Sequence, residues 1–177
     1  MRLLLLFFLA CTSTLFCSCA NIAGIANAAI RLGTVKVIFS CIPEGTRIDT
    51  PAGTQLIESL QPGDKVIGYE GEAVTIIQKH SYAEDPAPKR FRRIAFTNGS
   101  TVDLCDRHRI AGIQAKELAP GTNLDGLTVD TVESYGGVGR SYDLLTTDSG
   151  YRISGVPVNS MIEEMLRAAR DGTIQNR

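Results

Sequence analysis

The sequence predicts an all-β fold of two related halves, followed by one short C-terminal helix. Three observations lead there. From Cys41 onward, short apolar stretches are broken at close intervals by turn signals: Pro51-Ala52-Gly53, Pro62-Gly63-Asp64, Tyr69-Glu70-Gly71, Asn98-Gly99, Pro120-Gly121, Asp125-Gly126 and Gly136-Gly137. Turns this frequent leave room for many short strands and for no long helix before residue 160. An internal repeat runs beneath them. Gly45-Thr46-Arg47-Ile48-Asp49 returns as Gly99-Ser100-Thr101-Val102-Asp103, Leu60-Gln61-Pro62-Gly63 as Leu118-Ala119-Pro120-Gly121, and His80-Ser81-Tyr82 as Glu133-Ser134-Tyr135. Three echoes in the same order point to a duplication, and so to two intertwined β halves. Only the last segment changes period: Ile162, Met165, Leu166 and Ala169 recur at helical spacing, Ser160 with Glu163 reads as a capping box, and Gly172 supplies a stop. A helix is expected over 161–171.

Taken in order, the chain opens with an export signal. Arg2 supplies the charged start, Leu3 to Phe16 supply an apolar core of signal length, and the run meets Thr12, Ser13 and Thr14 before it could span a bilayer. Phe16-Cys17-Ser18-Cys19 is similar to a bacterial lipobox, which predicts lipidation of Cys19 and an envelope protein anchored by that lipid and facing the periplasm or the cell exterior. Ordinary signal cleavage after Ala20 or Ala28, or an uncleaved anchor, are the competing readings. Residues 20–40 begin small and weakly apolar and end in the β-branched run Thr34 to Phe39, a tether leading into an entry strand. The domain follows over 41–160, and 161–177 form the helix and tail. With 177 residues and a formal net charge of −1, the chain is long enough to bury one core without disulfide staples and carries no global field that would draw it to nucleic acid. Removal of the signal takes Cys11 and Cys17, and lipid would occupy Cys19. Cys41 and Cys105 then remain as thiols, open to reading as a disulfide, a metal site or a reactive pair. Lys89-Arg90-Phe91-Arg92-Arg93 reads as a solvated edge strand or hairpin carrying inter-strand charge.

Chemistry enters at Cys41. Cys41-Ile42-Pro43-Glu44-Gly45-Thr46-Arg47-Ile48, followed by Gly53, Ile57, Leu60 and Pro62-Gly63-Asp64-Lys65-Val66, resembles the opening block of Hint domains, the self-processing modules of inteins and hedgehog proteins. Some ten positions agree over the twenty-six residues from Cys41 to Val66. Val102 to Ile110 is similar to the family's second block, with His108 at its activating histidine and Cys105 in place of a threonine three residues earlier. Ser141-Tyr142-Asp143-Leu144 is similar to a late block whose aspartate lies near the scissile bond. The resemblance spans about 120 of the 177 residues. It implies a Hint-type horseshoe of two pseudo-two-fold related halves, with Cys41 as nucleophile.

The implied reaction is physically coherent. The Cys41 thiolate would attack the Ser40 carbonyl and turn the Ser40–Cys41 peptide into a thioester. The family role of His108, with its neighbour at 105, is to distort the amide, protonate its nitrogen and stabilise the oxyanion, while Asp143 accepts a proton or orients charge. The catalytic set is therefore Cys41, Cys105, His108 and Asp143, with the chain's own N-terminal segment as substrate and no cofactor. His80, beside Lys79, reads as an exposed histidine. Inteins end in His-Asn before Ser, Thr or Cys. Here Gly155-Val156-Pro157-Val158-Asn159-Ser160 lacks either the cyclising Asn or its assisting His, depending on register, so splicing is not expected and Asn159-Ser160 reads as a helix cap. Two rivals stay open: a Hint-fold binding or scaffold module without activity, and a zinc site from Cys41, Cys105 and His108. No feature names a protein partner.

Overall fold

The computed structural model describes residues 41–171. The expected signal, Cys19, the tether with its entry strand, and Gly172 lie outside the described residues. Fourteen strands run along the described chain: β1 (Ile42–Pro43), β2 (Arg47–Thr50), β3 (Gly53–Leu56), β4 (Lys65–Ile67), β5 (Ala73–Ala83), β6 (Phe91–Phe96), β7 (Thr101–Cys105), β8 (Arg109–Ile110), β9 (Ile113–Gln114), β10 (Asn123–Leu124), β11 (Leu127–Tyr135), β12 (Arg140–Thr146), β13 (Gly150–Ile153) and β14 (Val156–Asn159). A single turn of 3-10 helix at Ala115–Glu117 is the one helical element before α1 (Met161–Arg170) among the described residues. No described helix is long and apolar enough to cross a membrane.

The strands build two curled four-stranded sheets in the orders β1-β12-β5-β4 and β7-β6-β11-β10, with short hairpins at their ends. In this order each strand of one sheet has its counterpart in the other, and the repeat seen in the sequence becomes a repeat of hydrogen bonds. Gly63 donates its N–H to Ile76 and Gly121 donates to Val129, both at 2.8 Å. Asp64 and Thr122 each donate an N–H back to residues 61 and 119, at 3.1 and 3.0 Å. Their side chains each accept the N–H of that same residue, Asp64 from Gln61 at 2.8 Å and Thr122 from Ala119 at 3.2 Å. Gly63 and Gly121 both sit at positive φ, 98° and 88°, where a side chain would strain the turn. The two halves interlock because β12, which follows the whole second sheet in sequence, returns to lie between β1 and β5 of the first.

The core fills the space between the sheets with fully buried residues such as Ile48, Leu60, Ile94, Leu104, Leu144 and Tyr151. Strand β12 is buried on both faces from Ser141 to Thr146, so its polar residues can survive only with partners. Phe91, Arg92 and Arg93 of the basic run lie on β6, which pairs with β7 as a hairpin and is an interior strand rather than an edge, and there Arg92 reaches Asp106 at 2.6 Å and Arg93 reaches Asp103 at 3.0 Å. The Arg93–Asp103 pair is the inter-strand charge expected of the hairpin, while Asp106 follows the end of β7. The Arg93 pair is solvent-screened and contributes below about 1 kcal/mol.

Ser160 ends the last hairpin and caps α1, its Oγ accepting the Glu163 N–H at 3.2 Å. The reciprocal half of the capping box is replaced by Glu163 pairing forward with Arg167 at 3.0 Å. Met161 and Ile162 are buried, Met165 and Leu166 are half-buried, and Ala169 is exposed, so the helix docks chiefly by its first turn.

Candidate functional site

Cys41 stands at the mouth of β1, fully buried. The β1–β12 register pairs Ile42 with Tyr142 and Pro43 with Ser141. Carried back by one residue, it sets Cys41 opposite Asp143. On the other side of β12, Asp143 pairs with His80 and Ser141 with Tyr82 of β5. Residues directly opposed in an antiparallel pair share a face, so three strands deliver Cys41, Asp143 and His80 in one row. The Cys41 carbonyl accepts the Cys105 N–H at 2.9 Å, which ties β1 to β7 where the two halves meet. The Cys41 N–H donates to Ser141 Oγ at 3.3 Å, and the Ser141 hydroxyl donates to the Glu84 carboxylate.

Burial pushes the Cys41 thiol well up, and the negative charges of Asp143, Cys105 and Glu84 push in the same direction. At rest Cys41 is a thiol and needs a base. Asp143, fully buried, is pushed up from 3.8 to about 7 by desolvation, against hydrogen bonds from Ile162, Tyr151, Leu144 and Met161 that favour its charged form. Its Oδ1 accepts the Tyr151 hydroxyl at 3.0 Å and the Leu144 N–H at 2.9 Å, and its Oδ2 accepts the Ile162 N–H at 2.9 Å and the Ser160 hydroxyl at 3.4 Å. The carboxylate thus sits on the first turn of α1, where orphan N–H groups and the helix dipole favour negative charge. A carboxyl that titrates near neutrality beside a protonated thiol is matched to proton transfer.

His108 lies in the turn between β7 and β8. Its N–H donates to the Cys105 carbonyl at 3.1 Å and its carbonyl accepts the Ala115 N–H at 2.8 Å. The ring is fully buried, and desolvation lowers it to about 4, with the Asn159 backbone acting the other way. It is therefore neutral at pH 7. Neither ring nitrogen meets a partner in hydrogen-bond geometry among the described residues. Cys105 is raised to about 12, chiefly by burial. Both thiols are free, and they share one small apolar cluster with Phe91 and Met161, in which Cys105 Sγ lies 4.0 Å from Met161 Sδ.

The fold therefore gathers Cys41, Cys105 and Asp143 into one buried cluster and places His108 one tight turn from Cys105. Among the described residues no group of three His, Cys, Asp or Glu side chains has metal-binding geometry, which gives the zinc reading of Cys41, Cys105 and His108 no support. His80 is not the exposed residue expected from its neighbour Lys79. Its ring is half-buried and stacks on Tyr82 with centroids 6.3 Å apart, and its buried Nε2 has no partner among the described residues. Four residues at the site were not singled out from sequence: Ser141, Glu84, Tyr151 and Tyr82. Ser141 alone had a signal, standing two residues before Asp143 on the same strand face.

Residues 40–124 match the family model described as the Hint domain. No curated protein matches the chain in sequence. Among solved structures, the chain is similar to a variant of the MchDnaB-1 intein, with a TM-score of 0.59 at 14% identity over 67% of this chain and 98% of the other. The DnaB intein from Synechocystis sp. PCC 6803 is similar with a TM-score of 0.58 at 13% identity over 69% and 99%. A bacterial intein-like domain from Clostridium thermocellum is similar with a TM-score of 0.54 at 19% identity over 69% and 98%. Identities this low speak to the fold, and the fold they share with this chain is that of inteins.

Proposed function

Since the chain carries a Hint domain, a module of the self-processing type, we propose that it cleaves its own Ser40–Cys41 peptide bond after an N–S acyl shift at Cys41. The observation that carries this reading is the buried pairing of Cys41 with Asp143, a protonated thiol in cross-strand register with a carboxyl that titrates at about 7. Transfer of the thiol proton to ionised Asp143 moves one negative charge across the site without adding a second. That removes the Asp143 repulsion, which adds to burial in holding the thiol protonated. The sulfur then attacks the Ser40 carbonyl. His108, neutral at pH 7, donates to the scissile peptide as charge develops on it, and Cys105 packs in the same apolar cluster as Cys41. Splicing is no part of the proposal, because Ser160 serves as the cap of α1 and its hydroxyl faces Asp143.

The proposal extends to the envelope. Signal cleavage at the lipobox-like Cys19 would anchor the chain by lipid, and cleavage at Ser40–Cys41 would release the domain from the membrane. Incubation of the full chain with dithiothreitol tests the chemistry: a fragment beginning at Cys41 is expected from wild type and not from Cys41→Ala. If both stay intact over days, the protein is a Hint-fold scaffold instead. Radiolabelled palmitate tests the anchor, since it should mark the full chain and not the released domain, and an unlabelled precursor sinks the lipoprotein reading.

A further inference from the structure

We propose that Ser141 is a further catalytic residue, holding the nitrogen that leaves Cys41's acylated peptide, and that Glu84 is its positioning partner, so that the two receive the α-ammonium group which cleavage creates. This deepens the self-processing reading and rests on it. The contacts are already in place in the uncleaved chain. Cys41 N–H donates to Ser141 Oγ at 3.3 Å, and Ser141 in turn donates to Glu84. Ser141 is fully buried on β12, its register partner on β5 is Tyr82, and Glu84 follows two residues later, just past the end of that strand. A buried hydroxyl fixed at one end by a carboxylate can turn only its lone pairs to the Cys41 nitrogen.

In the acyl shift the Cys41 sulfur bonds to the Ser40 carbonyl carbon, the carbon–nitrogen bond breaks, and the proton lost by sulfur ends on nitrogen. Thiol and amide become thioester and amine, with no change in charge. The amine then takes a second proton from water, because an α-amino group ordinarily titrates near 7.7–8.0. A peptide is more stable than a thioester, so whatever binds the ammonium form and not the amide draws the shift forward by mass action. The amide offers Ser141 one N–H, whereas the ammonium offers three hydrogens and a positive charge for Glu84 to balance. Among the described residues, those around that nitrogen are Asp143 on β12, Cys105 on β7, Tyr82 on β5 and Glu84 just past the end of β5. None of these is a cation that would repel it.

The full chain, as wild type, Glu84→Gln, Glu84→Asp and Ser141→Ala, is incubated with dithiothreitol across pH 6–9, with melting temperatures measured in parallel. Glu84→Gln is nearly isosteric at a half-buried site and should leave the melting temperature unchanged. It is expected to slow cleavage by about tenfold, the effect of losing one charge-assisted hydrogen bond, with Glu84→Asp recovering part of the rate and Ser141→Ala no faster than Glu84→Gln. In the cleaved wild-type product the Cys41 α-amine, followed by NMR, should titrate above its ordinary range and return to it in the Glu84→Gln product. Wild-type and Glu84→Gln chains that cleave equally fast, with α-amines titrating alike, overturn the inference and leave self-processing standing. A wild type that never cleaves overturns both.

Discussion

Replacing Asp143 by an asparagine should reshape the pH dependence of stability. Asp143 shifts from 3.8 to about 7 on folding, so the folded state binds the extra proton. Its contribution is fully favourable below pH 4, falls as pH rises from 4 to 7, and is constant above. A shift of about 3 units corresponds to about 4 kcal/mol. His108 acts in the opposite sense. Lowered from 6.5 to about 4, it is held neutral by the fold and costs stability as pH falls from 6.5 to 4, by about 3 kcal/mol. The two slopes nearly cancel in wild type between pH 4 and 6.5, and the variant unmasks the histidine. The introduced carboxamide would also set its own N–H against either the Ile162 N–H or the Tyr151 and Leu144 donors, a loss of about 1–3 kcal/mol at every pH. Asp143→Asn should therefore be less stable than wild type near pH 4.5 and equal or more stable at pH 8, the difference between the two proteins changing by about 3–4 kcal/mol. Urea denaturation at half-unit steps measures it. A constant difference across that range would refute a buried carboxyl titrating near neutrality.

Other substitutions probe the supports of the site. Tyr151→Phe removes a hydrogen bond to Asp143 Oδ1 that favours its ionised form, so the Asp143 transition should move to higher pH and stability at pH 8 should fall by about 1–3 kcal/mol. Ser160→Ala strips the α1 cap and a second Asp143 contact; a loss of about 1 kcal/mol or somewhat more is expected in thermal unfolding. Gly150→Ala would drive a Cβ into the Val158 carbonyl oxygen, inside the hairpin that ends at the site, and should prevent the hairpin from closing, seen as lost soluble expression or a collapse in melting temperature.

Much of this architecture was legible because it rests on local chemistry. The turn residues at Gly63 and Gly121 demand positive φ and mark equivalent corners of the two halves. Ser160 and the apolar spacing after it announce α1 to within a residue of its observed end at Arg170. Cys41, His108 and Asp143 stand out through motif context. The Asp143 environment does not, since its pKa is set by burial against hydrogen bonds from Tyr151 and the first turn of α1, none of which its sequence neighbours announce. The Ser141–Glu84 pair is hidden for the same reason: the residues are 57 positions apart, and their meeting with Cys41 depends on strand register alone. The exposure expected of His80 fails because Lys79 turns to the opposite face of β5, where its Nζ lies 5.7 Å from the Tyr142 ring centroid, while His80 faces inward beside Tyr82.

Thioester formation at Cys41 is the central claim, and hydroxylamine tests it most directly, because it attacks a thioester far faster than an amide. The account predicts that hydroxylamine treatment of the full chain releases an N-terminal peptide ending in a Ser40 hydroxamate, identified by its mass, together with a domain beginning at Cys41, and that Cys41→Ala releases neither. A Ser40 peptide ending in a plain carboxylate, or its release from Cys41→Ala as well, would contradict the account.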